Sequence, residues 1–211
     1  VKINVPSGAV AFSALSLTIT AGVNDVIVVR GMTMKALTPG DGNAINITQA
    51  GSVLIENCVI DGWDIGVRVA TGARVDIKDT TMRGNDTGVS VTNAAARVSA
   101  DQVRAIRNGV AFSVTAASVA TIGRSLLAGN TTGATATGAG SAVTISRSQI
   151  SGQLGDGVLI GAGAFGRVTD SIVSGNLVGL SNAGTLTSLG NNAVSGNNTN
   201  TSGTITAGAL Q

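Results

Sequence analysis

Five charged side chains in the first half of the chain carry the residue types that polysaccharide chemistry uses: Asp61, Asp64, Asp86, Arg83 and Arg104. Carboxylates grouped in this way can hold a divalent cation, and an arginine nearby can take a proton from a carbon next to an acidic group. That is the outline of elimination from an acidic sugar. Trp63, the lone tryptophan, lies between Asp61 and Asp64, where an indole face could stack on a sugar ring as a ligand-binding platform. The same charges also fit ordinary ion pairs between neighbouring strands, each contributing a few tenths of a kcal/mol. Trp63 also fits a plain packing role on the surface.

Other chemistries are harder to build from this composition. The chain has no histidine and one cysteine, Cys58, so that thiol lacks an imidazole base and has no intrachain disulfide partner. No cysteine pair and no Gly-Gly-x-Gly-x-Asp repeat marks a metal site, and no cofactor motif is present. Asp41 and Asp156 lie in Gly-Asp-Gly stretches and read as turn residues. A formal charge of +2 with scattered lysines and arginines argues against nucleic acid as a partner. No apolar run is long enough for a membrane span.

The elements that must carry these residues follow from a repeat. From the last aliphatic of one short strand, five residues on lies a second large apolar residue: Val29/Met34, Ile55/Ile60, Ile77/Met82, Val98/Val103, Ile122/Leu127, Ile145/Ile150, Val168/Val173 and Leu189/Val194. Two residues further on come Gly62, Gly84, Gly129, Gly152, Gly175 and Gly196, with Ala36 and Ala105 in the same frame. Asn85, Asn130, Asn176 and Asn197 follow four of these glycines and mark a recurring bend. A third strand opens after Gly66, Gly88, Gly109, Gly133, Gly157 and Gly179, with pairs such as Val67/Val69, Val89/Val91 and Val110/Phe112. Three short strands in about 22 residues are too few for a propeller blade. They predict an all-β, single-stranded, right-handed parallel β-helix of about eight or more coils stacked about 4.8 Å apart.

That frame places charges side by side. One file reads Lys35, Asp61, Arg83, Arg104, a second reads Glu56, Lys78, and a third sets Asp76 beside Arg97. Cys58 falls in a column of small, mostly polar residues with Thr80, Asp101, Ser125, Ser148, Ser171 and Asn192.

The expected organisation is one β-helix over residues 1–211. Degenerate first coils occupy 1–26, with alternation at Val10/Phe12 and Leu17/Ile19. Regular coils run through 27–196, and a closing turn and strand occupy 197–211, the strand at Thr204–Thr206. The stretch Ala36–Ala44 reads as a protruding insertion. The chain does not open on methionine, so it is expected to be a processed or truncated product. Uncapped coil ends seek partners, which predicts a missing cap, or self-association by end-to-end stacking.

The segments NDVIVVRGMTM (24–34), GSVLIENCVIDGW (51–63), SLLAGNTTG (125–133), the run 171–197 and the closing TSGTITAGAL resemble bacterial secreted right-handed parallel β-helix repeat proteins of the pectin-lyase-like superfamily. The resemblance implies an exported bacterial protein, secreted or at the cell surface. The Asn-Thr-Asp and Asp-Asp carboxylates of its hydrolases, and the Trp-Ile-Asp-His and Arg-x-Pro-x-x-Arg segments of its lyases, have no counterparts in this chain. The leading expectation is a non-catalytic structural, surface, adhesion or assembly module. A polysaccharide lyase or hydrolase using Asp61, Asp64, Arg83 and Arg104, and a glycan-binding module using Trp63, are the alternatives.

Overall fold

In the computed structural model, which describes residues 1–6 and 11–209, the chain winds as a parallel β-helix. Each full coil contributes one strand to each of three all-parallel sheets. Ser52–Glu56, Val59–Asp61 and Ile65–Val69 make one such coil, and Arg74–Lys78, Thr81–Arg83 and Thr87–Val91 make the next. The first sheet holds ten strands, from Lys2–Asn4 to Ile205–Gly208, and the second and third hold nine each. Crossovers between parallel neighbours in one sheet are right-handed almost without exception. No helix occurs among the described residues.

The strands form because alternate residues are aliphatic and find one another inside the tube. Val53 and Ile55 lie under Val75 and Ile77, Ile60 lies under Met82, and Val67 and Val69 lie under Val89 and Val91. All ten are fully buried. The glycines expected to open the third strand lie one residue inside it, except Gly109, which precedes strand Val110–Val114. At Gly88 a Cβ would meet the Ala111 carbonyl oxygen at 2.6 Å, so the coils approach too closely there for most side chains.

One coil departs from the expected register. Ile77 faces Ala100 and Met82 faces Ala105, so Ala100/Ala105, not Val98/Val103, continue the two internal files. The slip is two residues and preserves the alternation within each strand, while Asp101 and Ala105, next to the corners, change face. The difference arises because this coil fills two core positions with alanine and supplies bulk from the fully buried Phe112, so large aliphatics do not mark its register. Its third-strand pair is therefore Phe112/Val114. Val103 is buried in the column of Thr80 and Ser125, where Asp101 was expected.

Two corners are held by polar ladders. At the corner between the second and third sheets, each glycine of the predicted column adopts positive φ, and the next side chain turns inward. Asn108 shows the pattern. Its Oδ1 accepts from the Asn85 backbone N–H at 3.1 Å and from Asn85 Nδ2 at 3.0 Å, while its Nδ2 donates to the Met82 carbonyl at 3.2 Å and to Asn130 Oδ1 at 3.0 Å. Gln153, Asn176 and Asn197 carry the ladder onward. Arg107, with φ of 55°, replaces the corner glycine in the slipped coil, which hid Asn108 from the Gly-Asn pattern. At the corner between the first and second sheets, the hydroxyls of Ser125, Ser148 and Ser171 each accept the preceding coil's N–H at 3.1 Å. Each also donates to the carbonyl two residues back in its own coil.

At the ends, Phe12 lies in strand Ala11–Ser13 and Leu17 and Ile19 in strand Leu17–Thr20, while Val10 lies outside the described residues. The polar stretch Thr199–Ser202 is a strand of the third sheet, not a turn, and the closing strand is Ile205–Gly208 rather than Thr204–Thr206.

Adjacent leucines test the register. Leu127→Ala is expected to cost about 2–5 kcal/mol in urea denaturation and outward-facing Leu126→Ala less than about 1 kcal/mol. Asn108→Ala, which strands the Asn85 donors, is expected to cost about 1–3 kcal/mol in the same assay.

Candidate functional site

The predicted acidic and basic residues divide around the corner between the second and third sheets. Asp61 and Arg83 are in register on the outer face of the second sheet, with Arg83 Nη2 3.1 Å from Asp61 Oδ2. Lys35 precedes them in the same file, as expected. Arg104 does not follow: it faces Thr81, and Ile106 takes the place beside Arg83. The two-residue slip accounts for this, and for two further corrections. Asp76 faces Ser99, and Arg97 faces Arg74. The Glu56, Lys78 file stands and extends from Arg30 to Asp101, with an ion pair between Arg30 and Glu56.

Asp64 lies past the corner and serves a local purpose. Its Oδ2 accepts the backbone N–H of Gly42 at 3.2 Å, pinning the insertion that the sequence placed at Ala36–Ala44. Gly40 N–H also donates to the Gly62 carbonyl, so this insertion runs along residues 62–64. Leu37, at its start, is 77% exposed. Asp86 is exposed in the next coil. Asp61 and Asp64 are thus separated by a tight bend and held by different partners. Among the described residues no three His, Cys, Asp or Glu side chains gather as a metal-binding group.

Trp63 is not on the rod surface. It is 2% exposed, and its backbone N–H donates to Asn85 Oδ1 at 3.0 Å, so the indole occupies the inward position that asparagine takes in later coils. The αL glycine before it reverses the strand alternation, which is why a residue next to two aspartates points inward. Its indole N–H has no hydrogen-bond partner among the described residues. Phe165 is half exposed on the outer face of the first sheet. Cys58 is buried in its ladder column, and burial pushes its thiol above the ordinary value. This favours the neutral form and a packing role.

A second grouping escaped the sequence frame. At the corner after the first sheet, Asn57, Asp79, Gln102, Arg124, Arg147 and Asp170 all adopt left-handed backbone, with φ between 46° and 55°. Each lies two residues beyond the last inward side chain of its first strand, so the frame could have identified all but Gln102, whose coil it sets two residues early. Asp79, Gln102, Arg124, Arg147 and Asp170 form one wall of an open groove of about 630 Å³. The outer face of the second sheet supplies the floor with Arg104, Leu126, Gln149 and Ile172. Arg124 pairs with Asp101, whose carboxylate raises the guanidinium's proton affinity. Arg104 and Arg147 form no ion pair among the described residues.

The model of the family described as right handed beta helix region matches residues 43–199, well over half of the chain. No curated protein and no solved structure gave a match.

Asp156, read as a turn residue, is the first residue of strand Asp156–Ile160. Burial raises its carboxyl above the usual range, and contact with the Ser181 hydroxyl opposes part of that rise. A carboxyl raised in the folded state favours folding while protonated, and that advantage is lost as pH climbs through the folded-state value. Asp156→Asn is therefore expected to raise the melting temperature at pH 7, with the difference from the parent protein shrinking towards pH 3.

Proposed function

The chain belongs to the right-handed β-helix family, and from that premise we propose that it works as a non-catalytic rod, a structural, surface, adhesion or assembly module. The observation that carries this reading is how the candidate catalytic carboxylates are employed. Asp61 is tied to Arg83 across one coil step, and Asp64 holds the backbone of the insertion. Catalysis by this pair would require breaking contacts that position the corner.

The ladders support a rigid element. Each coil is joined to the next by three sheets and two polar corners, so bending or shearing the rod would break many bonds together. The resemblance of the repeat segments supports an exported bacterial protein of the pectin-lyase-like type, secreted or displayed at the cell surface. Self-association by end-to-end stacking of copies through strand edges belongs to the same proposal.

Incubation with a panel of acidic and neutral polysaccharides is expected to produce no new reducing ends and no unsaturated sugars. Arg83→Ala and Asp61→Ala are expected to change stability by less than about 1 kcal/mol each, as exposed ion pairs do. Turnover that disappears in either variant would overturn the reading and assign the second-sheet face to catalysis.

A further inference from the structure

The two corner ladders both start in the coil of Ser52–Glu56, Val59–Asp61 and Ile65–Val69. In the coils that follow, an inward amide serves two coils at once. Asn85 Oδ1 takes the Trp63 N–H at 3.0 Å, while Asn85 Nδ2 donates to the Ile60 carbonyl at 3.3 Å. The coil before, made of Val26–Arg30, Met32–Lys35 and Asn43–Gln49, lacks this reinforcement. At one corner Trp63 stands where an asparagine would reach back, and its buried indole N–H finds no acceptor among the described residues. At the other, the Cys58 thiol reaches back to the Val29 carbonyl at 3.8 Å, a weak donor at long range. Both ladders therefore stop at the same junction.

Across that junction the described residues keep backbone pairing in and beside the three sheets, apolar packing, the exposed Arg30–Glu56 ion pair, and the bond from the Gly42 N–H to Asp64. An exposed ion pair contributes little. The two coils before the junction, by contrast, are stitched to each other. Where strands Leu17–Thr20 and Asn43–Gln49 shift register, the Thr48 hydroxyl donates to the Ile19 carbonyl at 3.0 Å and lies 2.7 Å from the Thr20 hydroxyl. In a stack whose coils touch only their neighbours, partial opening divides at the weakest interface.

We propose that the strands from Lys2–Asn4 to Asn43–Gln49 form a cover that opens as one unit at the Cys58–Trp63 junction while the laddered coils stay folded. The fully buried Val29, Met34, Ile45 and Ile47 keep the closed form dominant. In that form Cys58 is 1% exposed and Trp63 2%. Opening bares the thiol, the indole and the edges of Ser52–Glu56, Val59–Asp61 and Ile65–Val69, and unpaired edges of this kind are templates for pairing with another chain.

Hydrogen exchange of the full chain, read by mass spectrometry, tests the division. Amides of residues 26–49 are expected to exchange together, about tenfold or more faster than those of residues 74–169. Alkylation of Cys58 by N-ethylmaleimide without denaturant is expected to report the same opening. Ile47→Val, inside the cover, is expected to raise both rates about two- to tenfold and to leave residues 74–169 unchanged. Ile145→Val, in the laddered coils, is expected to leave both rates unchanged. Equal protection from residue 26 to residue 169, a smooth gradient with no step at the junction, Cys58 alkylation no faster than exchange in residues 74–169, or an Ile47→Val variant that accelerates exchange equally along the rod would each overturn the proposal.

Discussion

Successive coils of this protein pair through their backbones in fixed register, and almost every other feature follows from that constraint. Once Ile60 lies under Met82 and Val67 under Val89, every side chain at a given position meets its counterpart one coil away. A position suited to a side chain in one coil must suit it again in the next. The interior is therefore a set of continuous apolar files, and each polar group drawn inside needs a partner along the axis. Asparagine meets this requirement because one amide offers both an acceptor and donors, so Asn85, Asn108 and Asn130 satisfy one another and the carbonyls of the coil before. Alanine at those corners would leave N–H groups without water or partner.

The constraint that orders the interior acts differently outside. On the outer faces, files of side chains are exposed to solvent and need no volume match, so composition drifts from coil to coil. The Arg30, Glu56, Lys78, Asp101 file alternates in sign, which lowers repulsion between adjacent strands. The neighbouring corner file keeps two arginines together instead. Since stacking fixes side-chain spacing regardless of residue type, the surface can vary without disturbing the core.

Sequence alone revealed the architecture because inward positions are large and aliphatic in most coils, and five-residue spacing survives changes in loop length. It failed where volume was redistributed. With Ala100 and Ala105 in the core and Phe112 filling the space, the aliphatic pair Val98/Val103 imitated the repeat two residues early. That slip separates Arg104 from the Asp61 file, moves Asp101 out of the Cys58 column, and removes the Asp76–Arg97 pairing. Within a strand a two-residue slip preserves alternation, so Arg104, Asp76 and Arg97 keep their outward faces, whereas Asp101 passes across a left-handed corner from the inward Cys58 column to the outer file of Lys78. Trp63 was misplaced for a different reason. A left-handed corner reverses alternation, so the side chain after Gly62 enters the core even though its neighbours in sequence are charged.

The two corners show how one geometric demand can be met in opposite ways. Glycine at the corner after the second sheet minimises strain and leaves the following residue to make the inward ladder. At the corner after the first sheet, the inward ladder is made by the next residue as well, through Ser125, Ser148 and Ser171. Stability thus sets the same requirements at both corners, and neither ladder uses the side chain of the left-handed residue. Arg124 and Arg147 are consequently free of the task that fixes their backbone, and their strain is carried by ladders and sheets on either side. The left-handed conformation is therefore set by the path of the backbone at the corner, and the residues there vary from Asn57 to Asp170 because their side chains leave the ladder untouched.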